Sequence, residues 1–231
     1  MKKASEDTPS PKQPGNKTRK VYSGMIKDKA RTMARLVAAV GKVIQKKGYP
    51  ALNAASVARE CGLNKQLVWT YFGGLDNLVE EYLRQRDFWK TAAKNVVENL
   101  LKEPGKIGPA HLSSLLQNQL EGLLKDKALQ KIIHWELGEK NKMLRKLADD
   151  REAIGEQLFE VILPDFEGSG VDLRARLALI IGGIYYLAIH AKTNGSSFCG
   201  IDLNLEEGKE RIANAIRDLV FEAYEKAGIV K

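Results

Sequence analysis

Four side chains with nucleic-acid chemistry fall within six residues of one another: Lys65, Gln66, Trp69 and Thr70. On a helix they share one outward face, because residues three and four apart stack above one another. A lysine there can pair with a phosphate or with guanine acceptors, and a glutamine can bond adenine through two atoms at once. Thr70 can donate to phosphate or touch a thymine methyl. Trp69 can lie on the sugar-phosphate backbone while its indole N–H donates to phosphate. What these four residues need is a short helix, held at a fixed angle, whose N-terminal end enters a groove.

No competing catalytic chemistry emerges. HExxH, GxSxG, Walker A and GxGxxG patterns are absent. The histidines, His111, His134 and His190, have no glutamate three residues before them, so the di-iron bundle pattern is absent too. Cys61 and Cys199 belong to no CxxC or Cys/His cluster, which argues against zinc and against a disulfide framework, and both read as buried thiols. No cofactor, no metal and no enzymatic activity are expected.

The elements around the four residues can be read from periodicity and stop signals. Met33, Val37, Val40 and Ile44 give one helix an apolar face, which Gly48, Tyr49 and Pro50 end. Asn53 can cap a short helix with Val57, Ala58 and Cys61 inward; Gly62 breaks it, and Asn64 can cap the next, to about Phe72. Residues 54–73 thus fit a helix-turn-helix. Ala58 is the small residue at the crossing, and Gly62 tolerates the positive φ of the turn. Val57, Cys61, Leu63, Val68 and Tyr71 lock the pair together. A longer helix starts near Leu75, with Leu78, Val79, Tyr82 and Leu83 inward. Helices then follow at roughly 110–124, 127–139, 141–162, 172–194 and 205–227. Leu177–Ala191 is a 15-residue apolar stretch that includes His190. A membrane span needs about 20 residues, so this stretch reads as a buried helix, with no membrane expected.

Charge follows the same division. Residues 1–72 carry 15 Lys or Arg against 4 Asp or Glu, a net +11, whereas residues 73–231 carry 22 against 25, a net −3. A basic head on a mildly acidic body is the footprint of a modular nucleic-acid binder. Residues 1–24, with Pro9, Pro11, Pro14 and Gly15 among polar residues, read as a disordered basic arm. Its Lys12, Lys17, Arg19 and Lys20 could follow a phosphate backbone. No apolar signal-peptide core is seen, and the cytoplasm is the expected compartment.

The stretch from Lys29 to Leu83, above all KGYPALNAASVARECGLNKQLVWTYFGGLDNLVEEYL, resembles the TetR family of bacterial transcriptional regulators. The resemblance is carried by Gly48-Tyr49, Ala58, Gly62 and Trp69-x-x-Phe72. Trp69 stands where the family usually has tyrosine, and Leu75 where it often has a phosphate-contacting lysine; the arm before Lys29 is expected to compensate. The resemblance implies an all-α fold: an N-terminal three-helix helix-turn-helix DNA-binding domain at 25–74 and a C-terminal helical ligand-binding and dimerisation domain at 75–231. It also implies a homodimer on palindromic double-stranded DNA, released by a small-molecule effector.

The DNA-contact set is then Asn53, Asn64, Lys65, Gln66, Trp69, Thr70 and Tyr71, with Lys29, Arg19 and Lys20. The family's dimer interface uses the last two helices, here with Leu177, Ile181 and Ile184 on one and Ile212, Ile216, Leu219 and Val220 on the other; Gly182 and Gly183 permit close approach. Candidate effector-lining residues are the large amphipathic ones on middle helices, His134, Trp135, Phe159, Tyr185 and Tyr186. Two other readings stay open: a DNA-binding protein controlled by a protein partner, and a helical scaffold or enzyme that binds no DNA. A cavity in the C-terminal part favours the effector; a filled core favours the partner.

Overall fold

The computed structural model describes residues 19–86 and 94–230, with side chains of the first helix from Asp28 onward. The regular elements among them are helical: α1 Arg19–Lys47, α2 Ala54–Cys61, α3 Gln66–Phe72, α4 Leu75–Arg86, α5 Lys94–Leu100, α6 Pro109–Lys125, α7 Lys127–Gly138, α8 Lys142–Ile162, α9 Leu173–Thr193 and α10 Glu206–Lys226, with short 3₁₀ turns at 49–51, 104–106 and 163–166. The chain is all-α, as its periodicity indicates. One boundary moves: α1 begins at Arg19, so the last six residues of the expected arm are helical backbone. Lys12 and Lys17 lie outside the described residues, as do the side chains of Arg19 and Lys20.

The helix starts are specified by short polar residues. Asp126 accepts from the N–H groups of Ala128 and Leu129, Asn141 from those of Met143 and Leu144, and Asp172 from that of Ala175. Each satisfies donors that the first helical turn leaves without partners. α6 instead opens on Pro109, whose missing N–H costs nothing at that position.

Two apolar cores organise the chain. The first gathers Leu36, Val40, Val43 and Ile44 of α1, Val57 of α2, Val68 of α3, and Leu78, Val79, Tyr82 and Leu83 of α4. It continues into Ala128, Ile132 and Trp135 of α7 and Leu144 and Leu147 of α8. The second holds α6, α9 and α10 with Leu129 and Ile133 of α7 and Leu158 and Ile162 of α8. The domain boundary expected at residue 74 therefore cuts through one contiguous core. α4 completes the first core, because its inward residues face α1 and Tyr82 lies against Gly41. α7 and α8 are shared between the cores.

The segment between α9 and α10 is a small hairpin. Phe198 and Ile201 exchange both backbone hydrogen bonds at 3.0 Å, and the two residues between them, Cys199 and Gly200, both have positive φ. That is the conformation tight hairpin turns require. Leu203 buries itself, while Asn204 accepts from Lys192 and donates to the Ala191 carbonyl. Gly208 of α10 lets this loop dock: a Cβ there would sit 2.0 Å from the Asp202 carbonyl oxygen. Cys199 is exposed at the hairpin tip, and Cys61 is only half-buried, so neither is the buried thiol expected.

Candidate functional site

The α2–turn–α3 unit is built by local chemistry. Asn53 Oδ1 accepts from the Ser56 N–H at 2.9 Å, and Ser56 Oγ accepts from the Asn53 N–H at 3.0 Å, a reciprocal cap on α2. Gly62 ends α2 at φ 65°, and Leu63 N–H donates back to the Ala58 carbonyl at 3.0 Å. Arg35 of α1 donates to the Cys61 carbonyl at 2.7 Å, and Lys46 pairs with Glu60 at 2.6 Å, so α1 grips the C-terminal end of α2. That lysine holds the Glu60 carboxyl below its ordinary range, whereas burial pushes the Cys61 thiol up. Asn64 Oδ1 accepts from the Gln66 N–H at 2.9 Å at the start of α3, and Asn77 donates to the Phe72 carbonyl at its end.

On this frame α3 presents one face inward and one outward. Val68 is 0% exposed, whereas Trp69 is 47% exposed. Lys65, Gln66 and Thr70 are exposed beside Trp69, and the Thr70 hydroxyl donates to the Gln66 carbonyl at 3.1 Å. Tyr71 is half-buried, with Lys29 Nζ 6.0 Å above its ring, which brings α1 alongside this face. Lys29, Asn53, Asn64, Lys65, Gln66, Trp69 and Thr70 are thus solvent-facing, but the Oδ1 atoms of both asparagines are occupied as caps. Leu75 packs against the first core.

In the second core lies a cavity of about 140 Å³. Its walls are Leu112, Leu115 and Leu116 of α6, Leu158, Phe159 and Ile162 of α8, and Leu177, Ile181 and Tyr185 of α9. Polar atoms enter from α7 and α8 through Glu136, Arg151 and Glu152. Arg151, with its side chain 7% exposed, donates to Glu136 at 2.6 Å. One turn along α8, Arg174 of α9 lies 4.4 Å from the Phe159 centroid and grips Glu156 through two bonds of 2.6 and 2.8 Å. The hydrogen bonds of that pair lower the Glu156 carboxyl and raise the Arg174 guanidinium.

Of the five residues nominated for an effector, Phe159 and Tyr185 line this cavity. Trp135 is elsewhere: buried in the first core, it stacks on Tyr49 at 4.6 Å and 10° between planes. His134 is exposed on α7. Tyr186 is exposed on α9 and meets His190 and the hairpin's Phe198. The residues that sequence reasoning missed are Glu136, Arg151 and Glu152. Arg151 had a signal: it is a charged residue in register with the inward Leu144, Leu147, Leu158 and Ile162.

The nominated interface residues also divide. Leu177, Ile184, Ile216 and Val220 belong to the chain's own second core, while Ile181 and Ile212 are half-buried against it. Leu219 is exposed, together with Leu179, Tyr186 and Phe221. α9 is long and apolar enough to cross a membrane by composition, and it is not the wholly buried helix expected: Leu179 is 79% exposed. A helix that is apolar nearly all round gives no period by which its inner face could be chosen.

No family model matches the chain, and no curated protein matches it. Solved structures do. The FadR transcriptional regulator of Bacillus subtilis, in complex with stearoyl-CoA, aligns at TM-score 0.59 and 15% identity over 82% of this chain and 98% of that one. NalD, the secondary repressor of the MexAB-OprM multidrug efflux pump in Pseudomonas aeruginosa, aligns at 0.59 and 17% over 85% and 97%. A TetR-family regulator from Marinobacter aquaeolei aligns at 0.54 and 14% over 85% and 97%. With its helix-turn-helix, its shared α7 and α8 and its cavity in the second core, this chain has the fold of the TetR family of transcriptional regulators.

Proposed function

We propose that the chain is a ligand-responsive transcriptional repressor that binds a palindromic operator as a homodimer in the cytoplasm. The observation that carries this reading is the outer face of α3. A tryptophan is left nearly half exposed among Lys65, Gln66 and Thr70, on a helix whose Val68 is fully buried. An exposed aromatic flanked by donors suits a phosphate-lined groove, and the concentration of positive charge in residues 1–72 supports the same partner. The exposed apolar residues Leu179 and Tyr186 of α9 and Leu219 and Phe221 of α10 offer a second copy its docking face. The cavity favours control by a small effector over control by a protein partner.

Selection from a random DNA pool tests the reading directly. The full chain should enrich a palindrome whose half-site spacing reports the separation of two recognition helices. Lys65→Ala together with Gln66→Ala should abolish sequence preference while fold and dimer persist. Unchanged selection by that variant would overturn the assignment of α3.

A further inference from the structure

We infer that the corner between α7 and α8, with Lys140, Lys142 and Arg145, is a second DNA contact that grips the phosphates of the duplex flanking each half-site. This rests on the reading of α3 as the recognition helix and extends it to a surface outside the helix-turn-helix. Three observations carry it.

The first is where the second half of the chain keeps its positive charge. Residues 125–146 hold seven Lys or Arg against three Asp or Glu, a net +4, while the rest of residues 73–231 hold 15 against 22, a net −7. Some of these charges neutralise one another: Lys125 pairs with Glu121, Lys146 with Glu80 and Arg151 with Glu136. Lys140, Lys142 and Arg145 are exposed, and none makes a hydrogen bond or ion pair through its side chain among the described residues. With Glu139 beside them they keep a net +2. The second observation is place. Trp135, in the last turn of α7, stacks on Tyr49 at 4.6 Å, and the turn at 49–51 leads to Asn53, the cap of α2. Leu144 and Leu147 then set the first turns of α8 into the same core as α2 and α3. The corner therefore stands beside the N-terminus of α2. In a helix-turn-helix the first helix crosses the phosphate backbone while the second enters the groove, so a duplex continuing outward past α2 runs by this corner. The third is a gradient. Lys142 and Arg145, three residues apart, share one face of α8. Farther along that face stand Asp149, Glu152 and Glu156, all exposed. The face is basic where α8 lies on the helix-turn-helix core and acidic where it enters the second core. A polyanion is drawn to the first end and repelled from the second, which favours the duplex held by α3 over a partner docked elsewhere on the body.

The test uses the full chain, with DNA affinity read by fluorescence anisotropy across a range of salt. The selected operator is prepared trimmed to its palindrome, and again with about one helical turn of unrelated sequence on each side. The flanks should tighten binding at least threefold at low salt. They should also steepen the log–log fall of affinity with salt by about 2–5, because each neutralised phosphate adds about 0.9 and the two corners of a dimer bring six cations. The combined Lys140→Gln, Lys142→Gln and Arg145→Gln variant should lose that gain and bind the trimmed operator within twofold of the unaltered chain. Lys140→Arg, Lys142→Arg and Arg145→Lys together should keep it. So should Lys102→Gln, Lys106→Gln and Lys226→Gln, an equal loss of charge at exposed positions on elements of the second core. The inference is overturned if the flanks add nothing, if they act in one sequence only, if the glutamine variant of the corner keeps the gain, or if the remote variant loses it as well. A chain that selects no operator overturns the reading of α3 and this inference with it; an operator bound without regard to its flanks overturns this inference alone.

Discussion

Trp135 is one contact through which α7 braces the helix-turn-helix, and it can be tested quantitatively. Its ring is 5% exposed and stacked on Tyr49, in the turn that leads from α1 to the cap of α2. Truncating a buried tryptophan to alanine costs about 3–5 kcal/mol, a large share of the ~5–15 kcal/mol that stabilises a typical protein. The stack itself accounts for about 0.5–1.5 kcal/mol of that loss. The indole Nε1–H is buried without a hydrogen-bond partner among the described residues, so Trp135→Phe removes an unsatisfied donor along with area and should cost far less than Trp135→Ala. A double-mutant cycle isolates the stack: Trp135→Leu, Tyr49→Leu and the pair, unfolded in urea at one protein concentration. The expected interaction term is about 1 kcal/mol. The next residue, Glu136, faces the cavity through its bond to Arg151, so Trp135→Leu should also blunt the effect of a bound ligand on operator affinity while ligand affinity itself holds. Energies that add within about 0.3 kcal/mol would refute the stack as a coupling contact.

Gly41→Ala should destabilise the chain despite alanine's better helix propensity, because the new Cβ would stand 2.7 Å from Cε2 and 2.8 Å from the hydroxyl of Tyr82. A gain of about 1 kcal/mol from propensity is outweighed by overpacking of about 1–3 kcal/mol, and thermal unfolding checks the sign. Burial pushes Tyr82 and Tyr224 up to about 12. The unfolded chain ionises these groups near pH 10, so it loses protons first, and the stability they hold below pH 10 is lost as pH rises from 10 through 12. Urea midpoints across that window should fall, and the combined Tyr82→Phe and Tyr224→Phe variant should flatten the fall without loss at pH 7, since neither hydroxyl has a hydrogen-bond partner among the described residues. Gln119 of α6 is buried with neither amide atom bonded among the described residues, so Gln119→Met should raise stability by about 1 kcal/mol in the same assay.

What could be read from the residues alone was whatever local chemistry decides. Asn53, Ala58, Gly62 and Asn64 make α2 and α3 a helix-turn-helix before any distant contact forms, because caps and left-handed turns are set by a few neighbouring residues. The starts of α7, α8 and α9 were placed to within a residue or two, and the caps that set them, Asp126, Asn141 and Asp172, are the same local chemistry. Which core a helix serves was not legible. α7 carries Ala128, Ile132 and Trp135 on one stripe and Leu129 and Ile133 on the next, and a period of 3.6 reports that both are apolar without saying what each will touch. Trp135 was therefore expected at an effector site and lies instead against Tyr49.

The same two-sided α7 would give the proposed effector response a physical route. A helix buried on one face transmits a push only to its single neighbour. α7 is packed on both faces, with its Trp135 in the core that holds α3 and the adjacent Glu136 bonded to Arg151 at the cavity wall. α8 repeats the arrangement along its length, with Leu144 and Leu147 in the first core and Leu158 and Ile162 in the second. Close-packed interiors resist local deformation, so a ligand that shifts the Arg151–Glu136 pair must move these shared helices as units or be excluded. The residues of α7 and α8 that serve both cores are thus the ones through which a ligand in the cavity would have to act on α3.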